Sequence, residues 1–375
     1  MFIKDEIKRL MCGLFMRLCK FFPIEEKIVF MSHWGSSVGD NPKALFDAFR
    51  KLYPEYKCIW LLNDPIYVEG AEVFSPRTLK SVYELATARI WVDDFRKRAW
   101  VSKRKGQVYI QSWHGGLAIK QIEADVEDKL TPVYVRDAKH DSKMIDYLIS
   151  GCKWSTDLYK RAFWYDGKIL EFGMPRSDIF YKPNEDIKTK VKDYYSAGKD
   201  VSFVLYAPTF RSNATLEHYN LDYNAILKAF RDKFSGDWKV IVRLHSNIKY
   251  LQDQIKYNDM VLNGSNYPDI NELIVASKVL ITDYSSCCFD AMEAGKKVFL
   301  FATDAEEYKK DRNTYFELTD LPFMLAESNA ALIRNIEEFD EDDYQNKVDR
   351  FFSEYQIYDH ERSSEEIVKY VMDSI

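Results

Sequence analysis

A short stretch in the last third of the chain, residues 279–286, places polar side chains directly after an apolar run. The apolar run predicts a buried strand, and the helix-periodic segment that follows from Cys287 ends at Gly295. Ser285 and Ser286 would therefore lie at the N-terminus of a helix, where unpaired backbone N–H groups and the helix dipole attract phosphate. A serine that only caps the helix accounts for the same pattern.

Other polar residues in or near this stretch extend the predicted anion site. Thr282 ends the predicted strand, Asp283 follows it, and Asp290 falls one helical turn after Ser286. Residues four apart on a helix share a face, so Asp290 would face the same way as the serine. An ordinary capping or surface carboxylate explains Asp290 equally well.

Two earlier strand ends carry cationic side chains. Thr209 and Arg211 follow a strand that Pro208 stops, and they offer a hydroxyl and a bidentate anion clamp. Arg243 and His245 alternate along a later strand and therefore face the same side, where they suit a diphosphate. An ion pair with a carboxylate is the alternative for each arginine.

One histidine is a candidate general base. His114 follows the apolar strand predicted over residues 107–112 and lies between Trp113 and Gly115. An imidazole in such an open turn, with a pKa near neutrality, could take a proton from a hydroxyl nucleophile. A structural histidine bonded to a turn carbonyl would have the same sequence.

Strand-like and helix-like segments alternate along most of the chain, which predicts parallel βαβ units in doubly wound sheets. A length of 375 residues predicts about two domains. The order of elements favours an α/β fold of the GT-B type, with two Rossmann-like domains facing across a cleft. The expected divisions are a basic amphipathic segment 1–23, an N-terminal α/β domain 24–180, a linker 181–200, a C-terminal α/β domain 201–327 and C-terminal helices 328–375.

The composition argues against several classes of function. A net charge of -6 and a pI near 5.7 are unlike those of a nucleic-acid-binding protein. The chain has no GxGxxG motif, no P-loop and no carboxylate pair at a strand end, so we expect neither a cofactor nor a metal ion. The six cysteines lack the spacing of metal ligands and indicate the reduced thiols of a cytoplasmic protein.

Residues 7–23 form a short amphipathic segment with four basic side chains, Lys8, Arg9, Arg17 and Lys20. The apolar run is too short to span a membrane, and no signal-peptide cleavage site follows it. A basic amphipathic helix can lie on an anionic membrane surface. It can also pack against the first domain with its basic residues in water, and the sequence leaves both possibilities open.

Taken together, these clusters resemble the CDP-glycerol glycerophosphotransferase family of wall teichoic acid and capsule synthesis. The resemblance extends over residues 32–325 and rests on short motifs: Asp40-Asn-Pro-Lys43, Trp113-His-Gly115, Gly173-Met-Pro-Arg-Ser-Asp178, Tyr206-Ala-Pro-Thr209, Arg243-Leu-His245, Asp269 with the following helix, and Thr282-Asp-Tyr-Ser-Ser286 with Phe289-Asp290. It implies a peripheral enzyme on the cytoplasmic face of the membrane. Such an enzyme moves a polyol phosphate from CDP-glycerol or CDP-ribitol to a hydroxyl of an undecaprenyl-linked saccharide and releases CMP.

The resemblance also implies roles for individual residues. It assigns the acceptor to the N-terminal domain and the CDP-donor to the C-terminal domain. His114 matches the catalytic base, and His245 is the second catalytic candidate. The positions that hold the donor phosphates are matched by Arg243, His245, Thr282, Ser285 and Ser286. Nucleic acid is not an expected partner, and an oligomer is compatible with the sequence.

The chain departs from the family pattern at two positions. Gly116-Leu117 stands where the family commonly has Thr-Pro, and Ser246 stands where it commonly has Pro. The first departure leaves undecided how the family's acceptor side applies to this chain. The chain is little longer than the core of the family, which favours addition of a single unit over polymerisation. A GT-B glycosyltransferase that uses a nucleotide sugar and a non-catalytic assembly partner are the alternative functions.

Overall fold

The structure is a computed structural model that describes residues 2–211, 219–305, 308, 313–358 and 361–375. The chain forms two compact units. The first unit comprises Met1–Gly116, Ile122–Asp178 and Ile357–Ile375, and the second comprises Leu117–Gln121 and Ile179–Gln356.

In the described part of the first unit, seven parallel strands form one sheet in the order β3-β2-β1-β4-β5-β6-β7. Their sequences are short runs of β-branched and aromatic residues, and most are buried, as strands covered by helices on both faces must be. The strands are β1 (Glu25–Met31), β2 (Lys57–Leu61), β3 (Glu72–Phe74), β4 (Ala88–Asp93), β5 (Val108–Gln111), β6 (Tyr147–Ile149) and β7 (Lys168–Leu170).

The described residues of the second unit form a six-stranded parallel sheet in the order β10-β9-β8-β11-β12-β13. This is the order of the first six strands of the other sheet. The strands are β8 (Val201–Tyr206), β9 (Asp237–Val242), β10 (Val261–Asn263), β11 (Ser277–Thr282), β12 (Lys297–Phe301) and β13 (Met324–Ala326). Both units are therefore Rossmann-like, as the alternation of elements predicted.

The helices connect the strands and cover the sheets. Several helices are preceded by an N-cap residue whose side chain accepts a hydrogen bond from a backbone N–H of the first turn. Examples are Thr78, Asp222 and Ser328. The helices are α1 (Phe2–Cys19), α2 (Asp40–Leu52), α3 (Leu79–Thr87), α4 (Pro132–Ser142), α5 (Lys153–Ala162), α6 (Asp178–Tyr181), α7 (Glu185–Tyr194), α8 (Tyr223–Phe234), α9 (Ile270–Ala276), α10 (Cys287–Glu293), α11 (Asn329–Glu337), α12 (Glu341–Tyr355) and α13 (Ser363–Met372). No helix in these ranges is long and apolar enough to cross a membrane.

Two segments of the chain belong to other parts of the structure than the sequence predicted. Residues 181–200, expected to be a linker, include α7, which packs on the second unit through the ring contact between Tyr194 and Tyr267 at 5.0 Å. Residues 328–375, expected to be one set of terminal helices, are divided between the units. Helices α11 and α12 belong to the second unit, whereas α13 completes the core of the first.

Candidate active site

Three loops at the carboxyl edge of the first sheet bring polar side chains together. They follow β1, β4 and β5, and they carry His33, Asp94 and His114, respectively. The ring centroids of His33 and His114 lie 6.5 Å apart. The edge between β1 and β4, where successive connections leave in opposite directions, is the place where doubly wound sheets bind ligands. This cluster is the candidate active site of the first unit.

The tautomer of His114 follows from its hydrogen bond. Its Nδ1 lies 3.1 Å from the backbone oxygen of Asp94. A carbonyl oxygen only accepts, so Nδ1 carries the proton and Nε2 carries the lone pair. Nε2 has no hydrogen-bond partner among the described residues. The ring is fixed in place by stacking on Phe95, with centroids 4.3 Å apart and planes at 5°.

The pKa of His114 differs from the value near neutrality that the sequence predicted. Burial, which disfavours the imidazolium, lowers the pKa of His114 from 6.5 to about 4, although the hydrogen bond to Asp94 opposes this shift. The imidazole is therefore neutral at physiological pH, with its lone pair at Nε2.

Asp94 connects the loops that carry the two histidines. It is fully buried, and its carboxylate accepts hydrogen bonds from the His33 backbone N–H at 2.8 Å and from the Ser32 hydroxyl at 2.7 Å. Burial, followed by repulsion from Asp40 and Asp93, raises the pKa of Asp94 well above its ordinary value. Its backbone oxygen holds His114, so one residue orders both loops.

Arg176 joins the start of α2 to the His114 turn. Its Nη1 donates to both carboxylate oxygens of Asp40 at 3.1 Å and to the backbone oxygen of His114 at 3.0 Å. Burial alone would raise the pKa of Asp40, but the charges of Arg176 and His33 hold it below its ordinary value. Asn41 completes the link, because it accepts from the Arg176 N–H at 3.1 Å and donates to the Trp113 oxygen at 3.1 Å.

Asp94 is not among the residues predicted from the sequence, and Asp40, Asn41 and Arg176 are predicted only as parts of the family motifs Asp40-Asn-Pro-Lys43 and Gly173-Met-Pro-Arg-Ser-Asp178. The available signal for Asp94 was its position directly after a predicted strand, where loops meet in this fold. Nothing local in the sequence shows that Asp40 and Arg176, which are 136 residues apart, form an ion pair. Their pairing depends on the tertiary structure.

Trp113 and Gly115, expected as further candidates, support the turn. Trp113 is buried against Phe163, with ring centroids 4.7 Å apart, and has a left-handed φ of 53°. The oxygen of Gly115 accepts a hydrogen bond from the Tyr159 hydroxyl at 2.8 Å. These contacts hold the backbone on both sides of His114.

His33, Asp40 and Asp94 each offer a ligand atom within 4.8 Å of the others, a spacing that could hold a metal ion. The donors around them already use these oxygens, however. Arg176 binds Asp40 through both oxygens, and Ser32 and the His33 N–H bind Asp94. The guanidinium of Arg176 already places a positive charge on Asp40, which disfavours a second cation at the same carboxylate, and we assign no metal to this set.

In the second unit, Arg211 is part of a buried ion-pair network. Its side chain is 5% exposed, and it contacts Asp283 at 2.8 Å and Asp304 at 2.7 Å. Burial disfavours the guanidinium charge, but the hydrogen bonds to Asp304 and the charge of Asp283 raise the pKa of Arg211 overall. Two carboxylates neutralise this arginine. This environment favours a structural role for Arg211, which ties the loop after β8 to the loop after β11, over the expected anion clamp.

Thr282, Asp283 and Thr209 are also internal to this network. The Thr282 hydroxyl is fully buried and donates to the Ala207 oxygen at 2.7 Å. Asp283 accepts hydrogen bonds from the backbone N–H groups of Thr209 and Tyr284 at 2.8 and 2.7 Å. Thr282 was expected to bind phosphate; in this structure its hydroxyl proton is used by the Ala207 oxygen, an arrangement that favours a role in shaping the turn.

Arg243, unlike Arg211, is surrounded by backbone carbonyls rather than by carboxylates. Its Nη1 donates to the Gly264 oxygen at 3.0 Å and to the Tyr267 oxygen at 2.5 Å. No carboxylate among the described residues lies within ion-pair distance of it. Burial lowers its pKa, while Asp269, Tyr195 and Cys287 act in the opposite direction. Neutral carbonyls therefore hold the guanidinium of Arg243 in position without neutralising its charge. This arrangement suits a residue that binds an anion.

The remaining candidates lie around Arg243 and the start of α10. Ser285 and Ser286 are only partly buried, unlike Thr282 and Asp283, and Ser285 Oγ accepts from the Cys287 N–H at 3.4 Å. His245 is exposed, with its ring centroid 6.0 Å from that of Phe210. Asp290 lies one turn into α10 and is 7% exposed. Arg243, His245 and the two serines are thus the accessible polar side chains among the residues expected to bind the donor.

Comparisons with known proteins identify relatives of this chain. The teichoic acid poly(glycerol phosphate) polymerase of Bacillus subtilis is 30% identical over 376 residues, which is 96% of this chain and 50% of that protein. The teichoic acid glycerol-phosphate transferase of Staphylococcus aureus is 28% identical over 90% of this chain and 91% of its own length. The chain spans about half the length of the B. subtilis polymerase and of its Staphylococcus epidermidis counterpart.

Among solved structures, the wall teichoic acid polymerase TagF superimposes with a TM-score of 0.85 at 27% identity, and the match covers 99% of this chain and 95% of that one. The fold is therefore α/β of the GT-B type, as expected. The family model for CDP-glycerol:poly(glycerophosphate) glycerophosphotransferases matches residues 14–373. This chain belongs to the CDP-glycerol:poly(glycerophosphate) glycerophosphotransferase family.

Proposed function

We propose that this chain transfers glycerol phosphate, or a related polyol phosphate, from CDP-glycerol to a hydroxyl of an undecaprenyl-linked saccharide in teichoic acid or capsule synthesis, and releases CMP. Membership of the family supports the class of reaction. A variant of the polymerase TagF soaked with CDPG supports the donor. The observation that carries the proposal is the orientation of His114, whose Nε2 lone pair is available to a hydroxyl group.

In this reaction the acceptor oxygen attacks the phosphorus that bears glycerol. A P–O bond forms to the acceptor while the bond to the bridging oxygen breaks, and CMP leaves with that electron pair. His114 Nε2 takes the hydroxyl proton and later releases it to water. A pKa of about 4 keeps the base unprotonated before each turnover.

The donor diphosphate would bind in the second unit. Arg243 supplies the positive charge, and Ser285 and Ser286 supply hydroxyl donors at the turn before α10. We retain His245 as a ligand of the same phosphates. Charge on the leaving CMP grows during the reaction, so these groups also stabilise the transition state.

We further propose that α1 attaches the enzyme to an anionic membrane surface. One face of α1 packs on the first unit through Met16 and Cys19, which are 0% and 2% exposed. The opposite face is apolar and in contact with solvent. Its exposed side chains are Leu10 (75%), Met11 (63%), Leu14 (60%) and Leu18 (53%), followed by Phe21 (88%) and Phe22 (52%). The adjacent exposed Lys8 and Arg17 match an anionic headgroup layer.

The membrane proposal is tested by co-sedimentation with vesicles that contain phosphatidylglycerol. A variant with Leu14→Gln, Leu18→Gln and Phe21→Ser should stay in the supernatant, because the buried side of α1 is intact but the apolar face is lost. Ile66→Gln, at a residue that is 59% exposed in the loop between β2 and β3, is the control and should still sediment. Equal sedimentation of both variants would refute the proposal.

The enzymatic proposal is tested by CMP release from CDP-glycerol in the presence of a synthetic lipid-linked disaccharide, with CDP-ribitol and a panel of nucleotide sugars in parallel. Release that requires both the acceptor and His114 is the expected result. Turnover of a nucleotide sugar alone would replace the proposal with a GT-B glycosyltransferase. Failure to bind any donor would favour a non-catalytic assembly partner.

A further inference from the structure

The turn after β1 contains consecutive residues with left-handed backbone. His33 and Trp34 have φ values of 48° and 53°, and Gly35 follows at 81°. This conformation is costly for residues with a Cβ atom and persists where the surrounding structure enforces it. Here Asn63 Nδ2 donates to the Trp34 oxygen at 2.9 Å, and Gly35 N donates to the Ser32 oxygen at 2.8 Å. The turn thereby presents Trp34 at a fixed position, with 44% of the residue exposed.

The exposed indole is the outer end of an aromatic row that leads from the candidate base to the surface. The row consists of His114, Phe95 and Trp34. His114 stacks on Phe95 at 4.3 Å, and Phe95 contacts Trp34 at 4.6 Å. Trp34 Nε1 donates to the Arg96 oxygen at 3.3 Å, so one edge of the indole is anchored while part of the ring stays exposed to solvent.

A positive charge lies beside this row. The guanidinium carbon of Arg98 is 5.9 Å from the Trp34 ring. Arg98 and Arg136 share the single carboxylate of Asp137, at 3.3 and 3.4 Å. Both arginine side chains are half-exposed, at 50% and 53%, whereas Asp137 is 4% exposed. Two guanidinium groups against one carboxylate leave a net positive charge at the surface.

We propose that Trp34, Arg98 and Arg136 form an acceptor subsite for a phosphate-bearing sugar or polyol unit, the unit that precedes the attacking hydroxyl. This inference rests on the proposed function. With the hydroxyl at His114 Nε2, the preceding unit lies along the aromatic row, where its C–H groups pack on the indole. Its phosphate reaches the two arginines, which bind phosphate oxygens with charge-assisted hydrogen bonds. The subsite therefore favours an acceptor that already carries a polyol phosphate over one that ends in a neutral sugar.

The test compares two synthetic lipid-linked disaccharides, one with a terminal glycerol phosphate and one without. For the double variant Arg98→Gln and Arg136→Gln, KM for the phosphate-bearing acceptor should rise about ten-fold and KM for the neutral acceptor should change little. Trp34→Asn should raise KM for both acceptors. Asparagine adopts left-handed backbone readily, so this variant keeps the turn and removes the ring.

Matched controls are Lys153→Gln and Tyr67→Ala, at exposed residues of the same unit outside the row. An unchanged ratio of the two KM values in the double arginine variant would overturn the subsite. If the wild type released no CMP with either acceptor, the proposed function would fail. The subsite is then judged separately by the fluorescence of Trp34, taken as wild type minus Trp34→Asn, on titration with the phosphate-bearing acceptor: quenching supports it, and no change refutes it.

Discussion

Replacing Arg211 and Arg243 in turn should separate a structural arginine from one that binds the donor. Arg211 lies in a buried network, with Asp283 2.8 Å and Asp304 2.7 Å away and side-chain exposures of 5%, 2% and 11%. Arg211→Met leaves both carboxylates without their cation, and breaking a buried pair in this way costs about 3–5 kcal/mol. For a unit of this size each kcal/mol lowers Tm by about 2–4 °C, so we expect a decrease of about 6–20 °C.

The matched variant is Arg243→Gln. Arg243 donates only to backbone carbonyls, and glutamine keeps one amide donor for them, so Tm should fall less than in Arg211→Met, where buried carboxylates lose their cation. Loss of a charged hydrogen bond to the diphosphate should instead raise KM for CDP-glycerol about 10–100-fold. Differential scanning calorimetry and CMP release below the melting range of each variant measure the two effects.

A double-mutant cycle then tests the network itself. Asp304→Asn should add little to the destabilisation by Arg211→Met, because the interaction between the two residues is already lost. The reasoning would be refuted if Arg211→Met kept the wild-type Tm and raised KM for the donor. That outcome would restore Arg211 to the role that the sequence predicted.

Three further predictions concern the chemistry and its pH dependence. His114→Asn should lower kcat about 10²–10⁴-fold with donor binding retained, measured by CMP release and calorimetric titration; an unchanged kcat would exclude His114 as the base. The base is active when unprotonated, and its pKa is about 4, so kcat/KM should stay level from pH 8 to about pH 5. A decrease of kcat/KM to half its maximum near pH 6.5 would contradict the effect of burial on the pKa of His114. Ser285→Ala and Ser286→Ala should each raise KM for CDP-glycerol about ten-fold, whereas equal donor affinities would make both serines simple helix caps.

The stability of the protein at acid pH should depend on the ion pair between Arg211 and Asp304. Burial alone would raise the pKa of Asp304, but its hydrogen bonds and attraction to Arg211 lower it overall. A carboxylate with a depressed pKa contributes stability above its unfolded pKa, near 4, and loses it as the pH falls through the folded value. The wild type should therefore lose Tm more steeply than Asp304→Asn below about pH 4, as followed by circular dichroism. Parallel acid profiles would contradict this account.

The fold and one part of the site could be predicted from the sequence because both depend on local patterns. Apolar runs that end in polar turns locate β5 and β11. Parallel strands place their carboxyl ends at one edge of the sheet, which brings the loop that carries His114 next to the loop that carries Asp94. The roles of Arg211 and Thr282 could not be read in this way. Asp304, the partner of Arg211, is 93 residues away, and the Thr282 hydroxyl donates to a backbone oxygen 75 residues away. Whether a polar group faces solvent or a distant partner is decided by tertiary packing.

The same holds for the ionisation of His114. The sequence predicts an imidazole in an open turn with an ordinary pKa. The structure stacks the ring on Phe95 and directs Nδ1 to a carbonyl, so burial outweighs the single hydrogen bond that favours the charged form. The identity of the residue was predictable, but its environment was not.

The division of the chain has a consequence for folding during synthesis. Ile367, Val368 and Val371 of α13 belong to the core of the first unit, although the rest of that unit ends at Asp178. A ribosome adds about 5–20 residues per second, so the N-terminal sheet waits about 10–40 s for the helix that covers it. During this interval the second unit, which lies between them in the sequence, can complete its own core. The expected order of folding is thus the reverse of the order of translation, and an incomplete first unit is the species that a chaperone would meet.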